Sequence, residues 1–333
     1  MVRRLVPRAV RHHLSGRIAQ FRSAALRRRL AAIAAERRPI FAGPWLGEVG
    51  FEVLYWMPFL RWVAEEFSIA PGRMIVMSRG GTQSWYEPFA GTYHDVFTYA
   101  SPEAFREDHH ERVRDAGQQK QVQGTGFEHR LQDAALSASG ARDAAVLHPS
   151  AMFELFNPFW WHHLDESWVH RHARYARLSP PPPPGQLPDS YAAVKFYFND
   201  SFPDSPRNRA FTREVVRQLS DRLPVVSLTT DLSLDDHGGC PLDGPGIVTP
   251  PLNIDPRCNL HVQSAIVAGA STFVGTYGGF SYLAPFYGVP TVAYYDDPTR
   301  FSSRHLAMAR SALASVGLER LFDVRAVKAG AGS

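Results

Sequence analysis

Two cysteines, Cys240 and Cys258, are all the chain has, too few for a disulfide scaffold, and neither sits in a metal-ligand neighbourhood. No stretch approaches the roughly 20 apolar residues needed to span a bilayer. The early basic residues are not followed by a continuous apolar run, so no signal peptide is expected and the reading is a cytoplasmic protein. There is no Gly-Lys-Ser/Thr phosphate loop and no true G-x-G-x-x-G, so ATP hydrolysis and NAD binding lose support. Outside the amino terminus there is no second basic stripe, which argues against a nucleic-acid partner.

What is present is an ordinary globular composition, 44% hydrophobic and 20% charged, in 333 residues, a length that favours two domains. Charge is uneven. Residues 1–38 carry eleven arginines and one glutamate, Glu36, a net of +10 in a chain whose total is +4, so the remainder is acidic. Leu5, Val6, Val10, Leu14, Ile18, Phe21, Ala25 and Leu30 recur among those arginines at roughly helical spacing. Such a basic amphipathic arm suits an anionic membrane surface or a helix packed on its own domain.

After the arm, residues 39–179 read as a Rossmann-like acceptor domain. Pro39 to Gly43 is a short apolar run ending in glycine, Phe51–Phe67 a helix broken or delayed by Pro58, and 73–78 a strand stopping at Arg79-Gly80-Gly81. Residues 101–143 are polar and helix-prone, and 143–148 is another buried strand. Pro180 to Pro184 form a stiff, extended run, so 180–190 is taken as the linker. The second domain, 191–303, begins with the apolar strand Tyr191–Phe198 and continues through further strands and helices, leaving 304–333 as carboxyl-terminal helices and tail. Strand, loop, helix and strand in succession imply parallel sheets, so the expected fold is α/β with two Rossmann-like domains facing a central cleft.

Between two apolar runs lies Gly275-Thr276-Tyr277-Gly278-Gly279, where a strand ends and a helix begins. Glycines there permit positive φ and close backbone approach, and the amides of the following helix favour an anion; Thr276 and Ser281 add hydroxyls. A structural tight turn is the plain alternative. A wider window, "LHVQSAIVAGA", "STFVGT", "YGG", "FSYLAPFYG" and "VPTVAYY", resembles the donor domain of GT-B glycosyltransferases, most nearly the ADP-heptose:lipopolysaccharide heptosyltransferases. The resemblance implies that Gly275 to Ser281 hold a nucleotide-sugar's diphosphate, although the family's Asp-Ser/Thr-Gly element is Thr276-Tyr277-Gly278 here. In "VGFEVLYWMPFLRW" Pro58-Phe59-Leu60-Arg61 begins six residues after Glu52, as the family's Pro-x-Leu-Arg follows its catalytic Asp. By resemblance Glu52 is then the catalytic carboxylate, with Phe51 replacing a glycine.

Inverting transfer needs a base for the acceptor hydroxyl and positive charge or N–H donors for the leaving diphosphate. Glu52, or Glu48 on the same loop, fits the first need, although Glu48 also suits a helix start. Lys195, Arg207 and Arg209 are candidates for the second, with Gly47, Gly50 and Arg79 on the acceptor side. The aromatic and histidine segment 153–172 reads as core or as a sugar-stacking surface; its spacing fits no standard metal site. The expectation is a metal-independent, cofactor-free glycosyltransferase with a nucleotide-sugar donor and a glycan or glycolipid acceptor, held at the inner membrane face by the arm. A pyruvyl transferase or sugar-nucleotide epimerase, or a non-catalytic binding protein on the same fold, are the alternatives.

Overall fold

The computed structural model describes residues 8–116, 120–185, 187–230, 232, 234, 238–240, 242, 244–249 and 254–327. β1 (Ile40–Ala42) and β2 (Met74–Ser78) are buried at every position, as strands covered on both faces must be. With β3 (Thr92–Asp95) and β4 (Ala145–Leu147) they form a wholly parallel sheet in the order β3-β2-β1-β4, with Ile40 opposite both Met74 and Ala145. Around this sheet lie α1 (Arg8–Ala35), α2 (Val49–Phe51), α3 (Met57–Glu66), α4 (Gln83–Tyr86), α5 (Pro102–Ala116), α6 (Gly126–Ala138), α7 (Ser150–Trp160) and α8 (Glu166–His170).

The expected disturbance at Pro58 takes a specific form. A π-helical turn, Glu52–Trp56, joins α2 to α3, and Pro58 falls in the first turn of α3. Proline has no N–H to give the carbonyl four residues back. That carbonyl, on Leu54, instead accepts a 2.8 Å hydrogen bond from the Tyr175 hydroxyl.

The second lobe is built on β5 (Ala192–Lys195), β7 (Val225–Ser227), β9 (Ile247–Val248), β10 (Thr272–Thr276), β11 (Thr291–Tyr295) and β12 (Phe322–Ala326), with β6 (Tyr197–Phe198) and β8 (Gly238–Gly239) as a separate antiparallel ribbon. The six-stranded sheet is parallel throughout, in the order β12-β11-β10-β5-β7-β9. Its helices are α9 (Pro206–Ser220), α10 (Asn259–Ala268), α11 (Gly279–Phe286) and α12 (Ser303–Ala314). Two Rossmann-like lobes with parallel sheets are therefore the fold.

Two expectations change in detail. The single strand 191–198 is divided, because the Tyr197 amide donates to Thr276 Oγ1 at 3.0 Å and that hydroxyl bonds back to the Tyr197 carbonyl at 2.8 Å, replacing the ladder. The terminal segment is not only helices and tail, since β12 pairs with β11 as the edge of the second sheet. Of the two readings of the arm, the described part takes that of a helix packed on its own domain: Leu26 and Leu30 are buried, Ser23 bonds His172 at 3.1 Å, and Arg27 pairs with Glu66. Residues 1–7 lie outside the described chain.

Candidate active site

In open parallel sheets, ligands gather beyond the carboxyl ends of the strands. The loops after β1 and β2 and those after β5, β7 and β10 meet there, and two cavities form. One, of 1240 Å³, belongs to the first lobe and is lined by Trp45, Phe51, Lys120, Phe153, Trp160 and Trp161 among others. The other, of 220 Å³, lies on the seam between lobes, with Glu48, Val49 and Gly50 on one side and Lys195, Asn259, Gln263, Gly279 and Phe280 on the other.

Glu48 lines both cavities, as do Arg79 and Leu234. It stands at the amino end of α2 with an extended backbone, φ −67° and ψ 151°, so its side chain projects from a loop-to-helix corner. The corner is held by Arg79, whose Nε and a terminal nitrogen both donate to the Gly47 carbonyl, at 3.2 and 2.9 Å. Across the first-lobe cavity the Lys120 ammonium lies 5.0 Å from the centre of the Phe51 ring and 4.9 Å from that of Trp160. Burial pulls its pKa below the ordinary lysine value, against the opposing pull of the Glu48 charge.

On the far side of the seam two helices begin at the smaller cavity, α10 at Asn259 and α11 at Gly279. Their aligned dipoles give this wall positive character, although the His261 amide in the first turn of α10 already donates to the Gly80 carbonyl at 2.8 Å. Lys195 adds a full charge: its ammonium donates to Gln263 Oε1 and lies 4.2 Å from the Phe280 ring centre, while Gln263 in turn donates to Asn259 Oδ1 at 2.8 Å. The arrangement puts a carboxylate on one wall and an anion-attracting surface on the other.

Glu52 does not share that seam, and its assignment to the cleft is corrected. It has no exposed surface and lines neither cavity. Its Oε1 accepts from the Ser78 and Tyr86 hydroxyls, each at 2.5 Å, while Oε2 is buried without a partner among the described residues. Burial raises its pKa from 4.5 to about 7, against the pull of those hydroxyls and of Arg79. Nearby Asp95, accepting from the amides of Gly81 and Phe97, is likewise raised by burial to about 6. The sequence spacing that pointed to Glu52 brings it instead to the first residue of the π turn, facing its own sheet.

The glycine loop also proves to have another task. Gly275 is needed because a Cβ there would lie 2.1 Å from the Lys195 carbonyl oxygen of β5. Gly278, at φ +143°, leaves no room for a side chain against the Tyr197 hydroxyl. Thr276 is occupied by Tyr197, Tyr277 donates to the Ser302 carbonyl at 3.2 Å, and Ser281 exchanges hydrogen bonds with the Gly278 backbone at 3.0 and 2.8 Å. Of Gly275 to Ser281, only Gly279 and Phe280 line the small cavity. Gly279 and Gly50 are one place where the two lobes touch, since a Cβ on Gly50 would sit 3.3 Å from the Gly279 Cα.

Arg207 and Arg209 line neither cavity. Each already has an acid, Arg207 pairing with Asp296 at 3.0 Å and Arg209 with Asp204 at 2.6 Å, and both are about half exposed, at 49% and 46%. Gly47 lines the large cavity, Gly50 the small one and Arg79 both. The 153–172 segment divides: Phe156 and Phe159 are core, whereas Phe153, Glu154, Asn157, Trp160 and Trp161 line the large cavity. Its histidines disperse, His162 to Arg304, His170 to Ser311 and His172 to Ser23, and no group of three or more metal-ligating side chains converges among the described residues.

Sequence reasoning passed over Lys120, Asn259 and Gln263. For Lys120 a signal existed: the chain has three lysines against 33 arginines, and two of the three, Lys120 and Lys195, line these cavities.

No family model and no curated protein matches the sequence. Among solved structures the chain is similar to E. coli heptosyltransferase WaaC with ADP, at 14% identity, over 87% of this chain and 93% of that one, with a TM-score of 0.43. It is similar to E. coli ADP-heptose lipopolysaccharide heptosyltransferase II at 12% identity, over 89% and 91%, with a TM-score of 0.40. UDP-GlcNAc 2-epimerase from Methanocaldococcus jannaschii matches at 9% identity over 87% and 88%, with a TM-score of 0.36.

Proposed function

We propose that this chain is a metal-independent glycosyltransferase that moves a sugar from a nucleotide-sugar donor to a hydroxyl of a glycan or glycolipid, with inversion and with Glu48 as the base. The observation that carries the reading is the position of Glu48, the one carboxylate lining both cavities among the described residues. The acceptor occupies the larger cavity, where rings for stacking on sugar faces alternate along α7 with the polar Ser150, Glu154 and Asn157. The donor's diphosphate occupies the smaller one, against Lys195 and the amino ends of α10 and α11. Glu48 takes the proton of the acceptor hydroxyl as its oxygen attacks the anomeric carbon. The bond from that carbon to the diphosphate oxygen breaks, and the charge gathering on the leaving group is met by the Lys195 ammonium and the helix amides. Arg79 acts indirectly, fixing the corner that aims Glu48.

Replacing the base should cost about 10²–10⁴-fold in turnover. Glu48→Gln is therefore expected to lose transfer while still binding nucleoside diphosphate, and Glu52→Gln to keep turnover near that of the native chain. Product analysis with a panel of ADP-, UDP-, GDP- and CDP-sugars is the measurement. Turnover by Glu48→Gln within threefold of native (~0.65 kcal/mol) would reject the base. An epimerised or pyruvylated product, or no donor consumption at all, would reject the transferase.

A further inference from the structure

Five large apolar side chains stand exposed among the described residues: Phe21, Val113, Val122, Trp161 and Val248. Three of them, Val113, Val122 and Trp161, line the 1240 Å³ cavity, and Phe21 adjoins Arg22, which lines it too. An apolar set gathered at one opening, rather than scattered, marks a contact surface. Phe21 and Trp161 are 69% and 68% exposed, large rings with little protein to cover them.

Both signs line this cavity, Arg22 and Lys120 against Glu48 and Glu154, but α1 at its rim carries positive charge alone. In α1 the side toward the body holds Ser23, Leu26 and Leu30, all buried. Arg22 and Arg29, seven residues apart and so on one helix face, are exposed, as is Arg28 beside them. None of the three forms an ion pair among the described residues, unlike Arg27, which is paired with Glu66. The nineteen residues that begin the sequence contribute five more arginines and no carboxylate.

We infer that the rim of the large cavity docks on an anionic lipid bilayer, the α1 arginines meeting headgroup phosphates while Phe21 and Trp161 insert at the acyl boundary. Exposed arginines that meet headgroups, beside aromatic rings that enter the interface, suit an anionic membrane surface. Nucleic acid offers the same phosphates, but Val113 and Val122 have no ring face for stacking bases, whereas acyl chains take valine readily. This surface stands independently of the chemistry proposed for Glu48. With that chemistry, it opens the acceptor cavity toward the membrane.

The experiment uses the full chain and phosphatidylcholine vesicles with and without phosphatidylglycerol. Co-sedimentation is expected only with phosphatidylglycerol and is expected to weaken with salt. Arg28→Glu with Arg29→Glu should reduce partitioning at least about tenfold, near the effect of removing two surface arginines. Brominated phosphatidylcholine mixed into those vesicles should quench native fluorescence and lose much of that quenching in Trp161→Phe. Because Phe21 and Trp161 are exposed, unchanged melting temperatures of Phe21→Ser and Trp161→Phe keep loss of binding separate from loss of folding. Failure of the native chain to sediment with anionic vesicles, equal binding by all variants, or binding to single-stranded DNA in place of vesicles would each overturn the docking face. Retained nucleoside-diphosphate binding in the same preparation shows that such a failure is not a failure of the donor site.

Discussion

A carboxyl group with no exposed surface, one oxygen bonded twice and the other not at all, is expensive to ionise. Glu52 keeps its proton to about pH 7 in the folded chain, whereas an unfolded chain releases it near 4.5. Between those values the unfolded state binds fewer protons, so this group's contribution to stability is full at low pH and is lost as pH rises through about 7. Asp95, raised to about 6, acts in the same direction at slightly lower pH. From pH 6 to pH 8 the Glu52 share is on the order of 1 kcal/mol, or roughly 2 °C in melting temperature. Thermal melts at the two pH values should therefore show the native chain losing stability at the higher one and Glu52→Gln losing distinctly less; an identical drop in both would refute the assignment. At this scale the sequence was only partly informative. Glu48 and Glu52 were both legible as acids on one turn, but spacing alone could not say which faces the cleft, because Glu48 is an extended residue ahead of the helix while Glu52 is already helical.

The elements show why apolar and glycine patterns were read correctly as architecture and less well as chemistry. Buried runs such as those of β1, β2 and β10 announce strands whatever lies beyond them. Glycine is ambiguous, since it serves equally for a ligand and for a neighbouring backbone, and the neighbour is known only once the sheet is assembled. Gly275 answers to the β5 carbonyl and Gly50 to the opposite lobe. The two positions should differ in sensitivity. Gly275→Ala forces a Cβ to 2.1 Å from backbone, whereas a Cβ on Gly279 would meet the Val49 Cβ at 3.3 Å and the Gly50 nitrogen at 3.4 Å, contacts that a small shift relieves. Denaturant midpoints should show Gly275→Ala losing about 1–3 kcal/mol or more and Gly279→Ala clearly less. Equal losses would mean that the seam is as rigid as the sheet interior.

For the whole molecule, what matters is how two lobes share one site. Two parallel sheets were legible from alternating apolar and helical segments, but not the return of the last strand, because β12 pairs with a neighbour known only from the fold. Charge distribution misled in the same way: Arg207 and Arg209, expected in a loop, lie in the first turn of α9 and are paired with acids, while Lys195 and Arg79 are the cations lining the seam. A charge-assisted hydrogen bond is worth about 1.5–3 kcal/mol. Lys195→Ala should accordingly weaken nucleoside-diphosphate binding at least about tenfold and shrink the thermal shift that the ligand produces, while Arg207→Ala and Arg209→Ala leave the shift as it is. An unchanged shift in Lys195→Ala would remove the lysine from the donor site. The seam cavity, at 220 Å³, is smaller than the roughly 300–1,000 Å³ of ordinary small-molecule sites, so the proposed donor would require it to widen. How it can widen follows from α12, which leaves the second lobe, bonds to the first through His305 with Tyr55 and Ser311 with His170, and then returns to supply β12. The polypeptide thus crosses between the halves three times, and a joint tethered at three crossings resists sliding far more than turning, so the two halves should part like the covers of a book about a fixed spine.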